Sequence, residues 1–270
     1  MPFVTVNGVR LRYTQSGEGH PVVFIHGGCI DRRMWQGQIN PIGASYTVVT
    51  YDLRGHGESE APATGYSLAN LAKDLRGLLQ ALNITKPTLV GQSLGGNVAV
   101  EYALTYPGEV TTLVLVDSGL EGFGYSKEWE GHRERRRALI ATDGVGEGLV
   151  RALMGGPRFE FLRRDAGKRE LVRQMLLAWS GKNWLEEGVA PASNPHANRL
   201  KELKVPTFVL VGERDDEAFQ QIAQRLTEEI LVTRKALVPE AGHLAPLENP
   251  EAFNDLLLDF LGGAVGKALL

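Results

Sequence analysis

Residues 88–96 read Thr-Leu-Val-Gly-Gln-Ser-Leu-Gly-Gly, and a segment with helical character follows at 97–106. The apolar residues 88–90 are typical of a buried strand, so the G-x-S-x-G pattern at 91–95 stands between a strand and a helix. In that context the pattern places a serine on a sharp turn with its hydroxyl exposed. Glycines flank the serine because its backbone is strained and because strand and helix must approach closely. We therefore predict that Ser93 is a nucleophile.

Apolar runs and turn residues in the rest of the chain predict a mostly parallel sheet. Asn7-Gly8 separates two alternating segments, a strong hairpin signal because both turn residues adopt positive φ. Continuous apolar runs, typical of parallel strands buried on both faces, occur at 22–25, 47–50, 88–90, 111–116, 207–211 and, in a shorter form, 235–238. Helical periodicity occurs at 68–82 after a Ser67 N-cap, at 218–230 and at 251–261. Strands that alternate with helices predict an α/β fold.

One long segment interrupts this alternation. Between residues 118 and 200 the sequence contains no convincing strand, only charged stretches with scattered tryptophan, leucine and methionine. The strand-like run that resumes at 207 favours an insertion over a continuation of the scaffold. We predict a core domain of residues 1–117 and 201–270, and a helical cap of residues 118–200.

A nucleophilic serine needs a general base and an acid that orients the base. His243 lies in a predicted loop between the last strand and the last helix and completes the chain order Ser, Asp, His, which the other five histidines fit less well. Asp215 follows the strand that ends at Val211 and is the preferred acid. The neighbouring Asp216 is better explained as a helix N-cap. Asp117, at the end of the preceding strand, remains a rival to Asp215.

Acyl transfer also requires hydrogen-bond donors for the oxyanion. The main-chain N–H of Leu94, directly after the nucleophile, is one predicted donor. The other is predicted in the segment 26–29, whose glycines allow close approach; the N–H of Gly28 is preferred and that of Cys29 is the second choice. The sequence shows no basic partner that would make the Cys29 thiol a nucleophile.

Five motifs in this order resemble those of the α/β-hydrolase superfamily: His-Gly-Gly at 26–28, Asp-Leu-Arg-Gly-His-Gly-Glu-Ser at 52–59, Gly-Gln-Ser-Leu-Gly at 91–95, Gly-Glu-Arg-Asp at 212–215 and Gly-His at 242–243. The resemblance implies an eight-stranded, mostly parallel sheet with a helical cap after the sixth strand. It also implies that residues 52–59 are a structural turn. Haloalkane dehalogenases and epoxide hydrolases of this superfamily use aspartate as the nucleophile, so a serine argues against both activities.

Substrate-binding residues are the least constrained by the sequence. Met34-Trp35 is similar to the branch that contains 3-oxoadipate enol-lactonases, cofactor-free haloperoxidases and small carboxylesterases. The arginines at 133 and 135–137 are either a site for a carboxylate substrate or, more commonly for such a run, a solvated helix face. Our candidates for contact with the substrate are Cys29, Trp35, Trp129, Trp179 and Trp184. Such tryptophans more often form the core of a cap than the lining of a pocket.

Composition and charge exclude several classes of protein. The chain has 270 residues, 43% of them hydrophobic and 23% charged, which is typical of a globular protein and not of a disordered or fibrous one. A net charge of −3 gives no electrostatic basis for binding nucleic acid. The single cysteine excludes an intramolecular disulfide and a cysteine-based zinc site. With no membrane-spanning run and no signal-peptide pattern, we expect a cytoplasmic protein.

The predicted function is serine-mediated hydrolysis of a small-molecule ester, thioester or lactone, as in a carboxylesterase or an enol-lactonase. No nucleotide-binding motif is present, and we expect neither a cofactor nor a metal. Two alternatives remain open: a C–C bond hydrolase or perhydrolase that uses the same triad, and a hydrolase-fold ligand receptor with very slow turnover. Because one fold supports many chemistries, the sequence does not separate them.

Overall fold

The computed structural model describes residues 2–156, 159–161, 165–186 and 193–268. The strands are β1 (Phe3–Val6), β2 (Val9–Ser16), β3 (Pro21–Ile25), β4 (Thr47–Tyr51), β5 (Thr88–Gln92), β6 (Thr112–Val116), β7 (Thr207–Gly212) and β8 (Thr233–Val238). The α-helices are α1 (Gln36–Gly43), α2 (Leu68–Ala81), α3 (Leu94–Thr105), α4 (Lys127–Asp143), α5 (Glu147–Met154), α6 (Ala166–Leu177), α7 (Lys182–Leu185), α8 (Glu217–Glu229), α9 (Ala245–Glu248) and α10 (Pro250–Ala268). Short 3-10 helices occupy Arg32–Trp35, His196–Asn198 and Leu200–Glu202.

The eight strands form one sheet in the order β1-β2-β4-β3-β5-β6-β7-β8. The β1–β2 and β2–β4 pairs are antiparallel, and every pair from β4 to β8 is parallel. The nearly continuous apolar runs of the sequence form the central parallel strands, since these are covered on both faces. The predicted α/β class and the eight-stranded, mostly parallel sheet are confirmed.

Local signals in the sequence account for two of these elements. Asn7 and Gly8 adopt φ values of 49° and 76°, and they connect β1 to β2 as a tight hairpin. At the start of α2 the Ser67 hydroxyl accepts a hydrogen bond from the main-chain N–H of Asn70 at 3.3 Å. This bond satisfies one of the unpaired N–H groups of the first helical turn.

Helices cover both faces of the sheet. Val23 and Ile25 of β3 belong to a buried cluster that includes side chains of α2, α3 and α8. Val22 and Phe24 of the same strand belong to the cluster formed with α1 and α10. Because parallel strands end at the same edge of a sheet, the segments that follow β3, β5, β7 and β8 are expected to meet there.

In the described part of the chain between β6 and β7, helices α4 to α7 and short 3-10 helices are joined by turns and loops, and there is no strand. Val150 and Leu153 of α5 and Val172 and Leu176 of α6 are buried in the same apolar cluster as Phe24. The division into a core and a cap of residues 118–200 stays a prediction. Within the described part of the chain, we find no helix with the length and apolar character needed to span a membrane.

Candidate active site

Ser93 lies on a sharp turn between β5 and α3. Its φ and ψ of 52° and −109° place the backbone in a region that non-glycine residues rarely adopt. The Ser93 N–H donates to the carbonyl of Val116 at 3.0 Å, and its carbonyl accepts from the N–H of Gly119 at 3.1 Å. The end of β6 and the loop after it therefore hold the strained turn in place.

The glycines of this turn are required by close packing. A Cβ on Gly91 would lie 2.3 Å from the carbonyl oxygen of Gly95. A Cβ on Gly95 would lie 2.1 Å from the carbonyl oxygen of Ile25 at the end of β3. Both distances are shorter than side chains tolerate, so the G-x-S-x-G pattern follows from the geometry of the turn.

The structure brings together the three residues predicted as nucleophile, base and acid. His243 Nε2 lies 3.3 Å from Ser93 Oγ, and His243 Nδ1 lies 3.0 and 3.1 Å from the two carboxylate oxygens of Asp215. Asp215 and His243 are buried, and the ring of Phe219 packs on the imidazole at 4.1 Å between centroids. This arrangement allows His243 to accept a proton from Ser93 while Asp215 orients the ring.

Asp117, the rival acid, contacts the main chain around this site. Its two oxygens accept hydrogen bonds from the N–H of Gly212 at 2.8 Å and from the N–H of Ala245 at 3.2 Å. Burial raises the pKa of the Asp117 carboxyl well above its usual range, and the charge of Asp215 acts in the same direction. The structure thus pairs His243 with Asp215 and places Asp117 in a separate set of hydrogen bonds.

The two residues that carry the predicted oxyanion donors, Gly28 and Leu94, lie close together. A Cβ on Gly28 would lie 3.9 Å from Cβ and Cδ2 of Leu94. Neither the Gly28 nor the Leu94 N–H donates a hydrogen bond to another residue that the structure describes. Cys29, the second choice, has a φ of 69°, and its half-buried side chain lies in the wall of the adjoining cavity. Main-chain N–H groups without a partner beside a serine nucleophile can stabilise an oxyanion.

A cavity of about 1710 Å³ opens over Ser93 and His243. Trp129 and Trp184, two of the tryptophans predicted to contact substrate, line its wall. From α4, the side chains of Arg133, Arg136 and Arg137 line it as well, together with Glu128 and Glu130. The wall therefore carries charges of both signs instead of a purely basic surface.

Two predicted substrate-binding residues do not belong to this wall. Trp35 is fully buried, with its ring 4.9 Å from Phe24 and 6.2 Å from Phe253 between centroids. Trp179 is buried against Trp184 at 5.4 Å and donates its indole N–H to Asn183 Oδ1 at 2.8 Å. Both side chains are packed in an apolar core cluster, so the structure places them outside the cavity wall, and their contact with substrate stays a prediction.

Comparison with known proteins shows the family to which this chain belongs. A profile of the alpha/beta hydrolase fold family matches residues 20–250. The chain belongs to this family. The match spans β3 to the first residue of α10, so it includes Ser93, Asp215 and His243 and the strands that precede them.

Proteins similar to this alpha/beta hydrolase are named as enzymes of different kinds. A putative 2-succinyl-6-hydroxy-2,4-cyclohexadiene-1-carboxylate synthase of Bacillus subtilis (strain 168) is 31% identical over 265 residues, covering 93% of this chain and 95% of that protein. A malate-bound thermophilic esterase from Thermogutta terrifontis is 28% identical, with a TM-score of 0.85 and coverage of 98% and 99%. The enol-lactonase from Burkholderia xenovorans LB400 is 25% identical, with a TM-score of 0.86 and coverage of 97% and 100%.

Sequence reasoning missed three residues of this site in the alpha/beta hydrolase. Gln92 donates to the main-chain carbonyl of His243, Phe219 covers the imidazole, and the Glu248 carboxylate accepts from the N–H groups on both sides of His243 at 2.9 Å. Burial raises the pKa of the Glu248 carboxyl above its ordinary value. Only Gln92, directly before the nucleophile, carried a positional signal, because the other two reach the site through tertiary contacts.

The described residues contain no group of three or more histidine, cysteine or acidic side chains arranged to hold a metal ion. His243 contacts Ser93 directly, and Asp215 contacts His243, so both titratable groups belong to the hydrogen-bonded chain that ends at the serine. The chemistry that this arrangement supports is nucleophilic attack by Ser93 with general-base assistance.

Proposed function

We propose that this alpha/beta hydrolase cleaves small carboxylic esters or lactones through an acyl-enzyme on Ser93. The observation that carries the proposal is the continuous contact from Ser93 Oγ to His243 Nε2 at 3.3 Å and from His243 Nδ1 to Asp215 at 3.0 Å. A buried carboxylate that orients an imidazole beside a serine is the arrangement that activates a hydroxyl for acyl transfer.

In the first half of the reaction His243 takes the proton of Ser93, and Ser93 Oγ attacks the carbonyl carbon. The carbonyl oxygen becomes an oxyanion, which the N–H groups of Gly28 and Leu94 stabilise. The carbon–oxygen bond to the leaving group then breaks, and His243 gives its proton to that oxygen. With a lactone, the released hydroxyl remains attached to the acyl group.

In the second half a water molecule attacks the acyl carbon while His243 again accepts a proton. The ester bond to Ser93 breaks, His243 returns the proton to Ser93 Oγ, and the carboxylic acid is released. Asp215 keeps the imidazole in the tautomer whose Nε2 is free to accept, and it stabilises the imidazolium in both halves.

Two relatives support an ester or a lactone as the substrate class. The structures similar to this chain include an esterase and an enol-lactonase, each aligned over nearly the whole chain. Apolar side chains that line the cavity beside the nucleophile, among them Leu94, Leu120 and Phe219, suit the carbon skeleton of such a substrate.

Labelling with a fluorophosphonate, followed by mass spectrometry of the adduct, tests the nucleophile without the natural substrate. We expect one adduct, on Ser93, and none in Ser93→Ala. Ser118→Ala is the matched control, since Ser118 is a buried serine close to the same turn, where its hydroxyl donates to the Gly119 carbonyl at 2.8 Å. This control is expected to label like the wild type.

Hydrolysis of p-nitrophenyl acetate, p-nitrophenyl butyrate and a set of γ- and δ-lactones then tests the substrate class. We expect turnover of at least one of these compounds that disappears in Ser93→Ala. A labelled protein with turnover slower than one event in many minutes on every compound would favour ligand binding. A folded protein that does not label at Ser93 would contradict the proposal itself.

A further inference from the structure

Gln92 is the last residue of β5, directly before Ser93, and its side chain is fully buried. Its Nε2 donates a hydrogen bond of 2.7 Å to the main-chain carbonyl of His243, which is 151 residues away in the chain. The side chain next to the proposed nucleophile is therefore bonded directly to the backbone of the proposed base.

The same amide also touches the segment that precedes the oxyanion donor Gly28. A Cβ on Gly27 would lie 2.0 Å from Gln92 Oε1 and 3.3 Å from Cβ of Ser93. Gln92 Oε1 is buried and accepts no hydrogen bond from any residue that the structure describes. The oxygen end of the amide thus packs against the bare α-carbon of Gly27, and the nitrogen end holds His243.

We infer that Gln92 is a positioning residue that sets the separation of the serine, the imidazole and the oxyanion segment. The inference rests on the proposed function, because it concerns the same reaction. Ser93 Oγ and His243 Nε2 are 3.3 Å apart, at the long end of a hydrogen bond. A displacement of about 1 Å in such a site costs on the order of 100-fold in rate.

The chain offers a closely matched glutamine for comparison. Gln38 is also fully buried, and its Nε2 donates to a main-chain carbonyl, that of Pro246, at 3.2 Å. Its Oε1, like that of Gln92, has no hydrogen-bond partner among the described residues. Gln38 holds the chain three residues beyond His243, in α9, and the second partner of its Nε2 is Asn254 Oδ1.

The experiment compares Gln92→Met with Gln38→Met in the full chain. Each change removes one buried amide and keeps a side chain of similar length. We measure kcat and KM on the best ester or lactone, the rate of fluorophosphonate labelling at Ser93, and Tm. For Gln92→Met we expect kcat and the labelling rate to fall together by about 10-fold to 100-fold, with KM within about twofold of wild type.

For Gln38→Met we expect kcat and the labelling rate within about twofold of wild type, even where its Tm falls as far as that of Gln92→Met. Gln92→Asn, which keeps the amide but is one methylene too short to reach His243, replaces Gln92→Met in the test if the latter does not fold. Equal losses of kcat in the Gln92 and Gln38 variants at equal losses of Tm would overturn the inference. So would a Gln92 variant that labels at the wild-type rate, whereas a wild-type protein that does not label at Ser93 would contradict the proposed function instead.

Discussion

Asp117 accepts a hydrogen bond of 3.2 Å from the main-chain N–H of Ala245, two residues beyond His243. Its second oxygen accepts from the N–H of Gly212, at the end of β7. One fully buried carboxylate therefore joins the strand that precedes Asp215 to the loop that carries the imidazole. Asp215 contacts the ring of His243. Asp117 instead binds main-chain N–H groups close to Asp215 and to His243.

Substitution of the two aspartates separates these roles. Asp215→Asn is expected to lower kcat by about 10⁴-fold with a folded protein, because the amide favours the wrong imidazole tautomer. Asp117→Asn is expected to lower Tm, since an amide N–H would face a main-chain N–H, and to reduce kcat far less. Steady-state kinetics and thermal unfolding of both variants check this. A larger loss of kcat in Asp117→Asn would assign the orienting acid to Asp117.

The nucleophile turn was predictable because its requirements are local. Glycine is required at 91 and 95 by close contacts within a few residues of Ser93 and with the neighbouring strand. The motif is therefore visible in the sequence alone. The base and acid follow strand ends in an order that the sequence also displays. Their meeting point follows from the parallel sheet, whose strand ends share one edge.

The sequence favoured Asp215 over Asp117 but did not exclude the rival acid, and it did not give the lining of the cavity. Both aspartates follow parallel strands, and the side chain that reaches the imidazole depends on the path of the loop around His243. Trp35 and Trp179 differ from Trp129 and Trp184 only in the tertiary contacts that surround them. An aromatic residue in the sequence does not show whether it faces the core or a cavity.

The turn around the nucleophile should tolerate no side chain at Gly95. A Cβ there would overlap the carbonyl oxygen of Ile25, at 2.1 Å, so Gly95→Ala must displace β3 or α3. We expect a lower Tm together with loss of fluorophosphonate labelling at Ser93. Gly124→Ala is the control, because a Cβ at Gly124 meets nothing within 4 Å. Labelling of Gly95→Ala at the wild-type rate and an unchanged Tm would show that the close packing of this turn is unnecessary.

The buried ion pair of Arg54 and Asp74 should contribute to stability, not to catalysis. Arg54 Nε and Nη2 donate to Asp74 at 2.6 and 2.7 Å, and the pair attaches the turn after β4 to α2. Asp74→Asn leaves a buried cation without its counter-ion, and we expect the free energy of unfolding to fall by about 3–5 kcal/mol. Chemical denaturation measures this, with kcat per folded molecule retained.

The matched control for that ion pair is Glu109→Gln. The Arg76–Glu109 pair has a similar distance, 2.7 Å, but both side chains are 40% exposed. Because solvent screens an exposed pair, we expect a much smaller change in the free energy of unfolding than for Asp74→Asn. Similar losses of unfolding free energy in Asp74→Asn and Glu109→Gln would contradict the expectation that burial makes the Arg54–Asp74 pair the more important for stability.

His56 should make the protein less stable in acid. Burial lowers the pKa of its imidazole to about 3, and its Nδ1 lies 3.0 Å from the carbonyl of Arg54. The unfolded chain binds a proton there near pH 6.5, about the usual histidine value, but the folded chain does not. Stability is therefore full above that pH and declines as pH falls towards 3, by up to about 1.4 kcal/mol per pH unit.

Removal of this imidazole should make the free energy of unfolding depend less on pH in acid. The variant is His56→Asn, because the asparagine amide N–H can replace the Nδ1 donor. Between about pH 5.5 and pH 4, the free energy of unfolding of wild type should fall more steeply with falling pH than that of the variant. The difference between the two slopes should be about 1.4 kcal/mol per pH unit. Urea denaturation at several pH values measures the slope. His132→Asn is the control, because it also removes an imidazole but from a side chain that is 54% exposed. Parallel slopes for His56→Asn and wild type would mean that another group, such as the buried His26, causes the acid sensitivity.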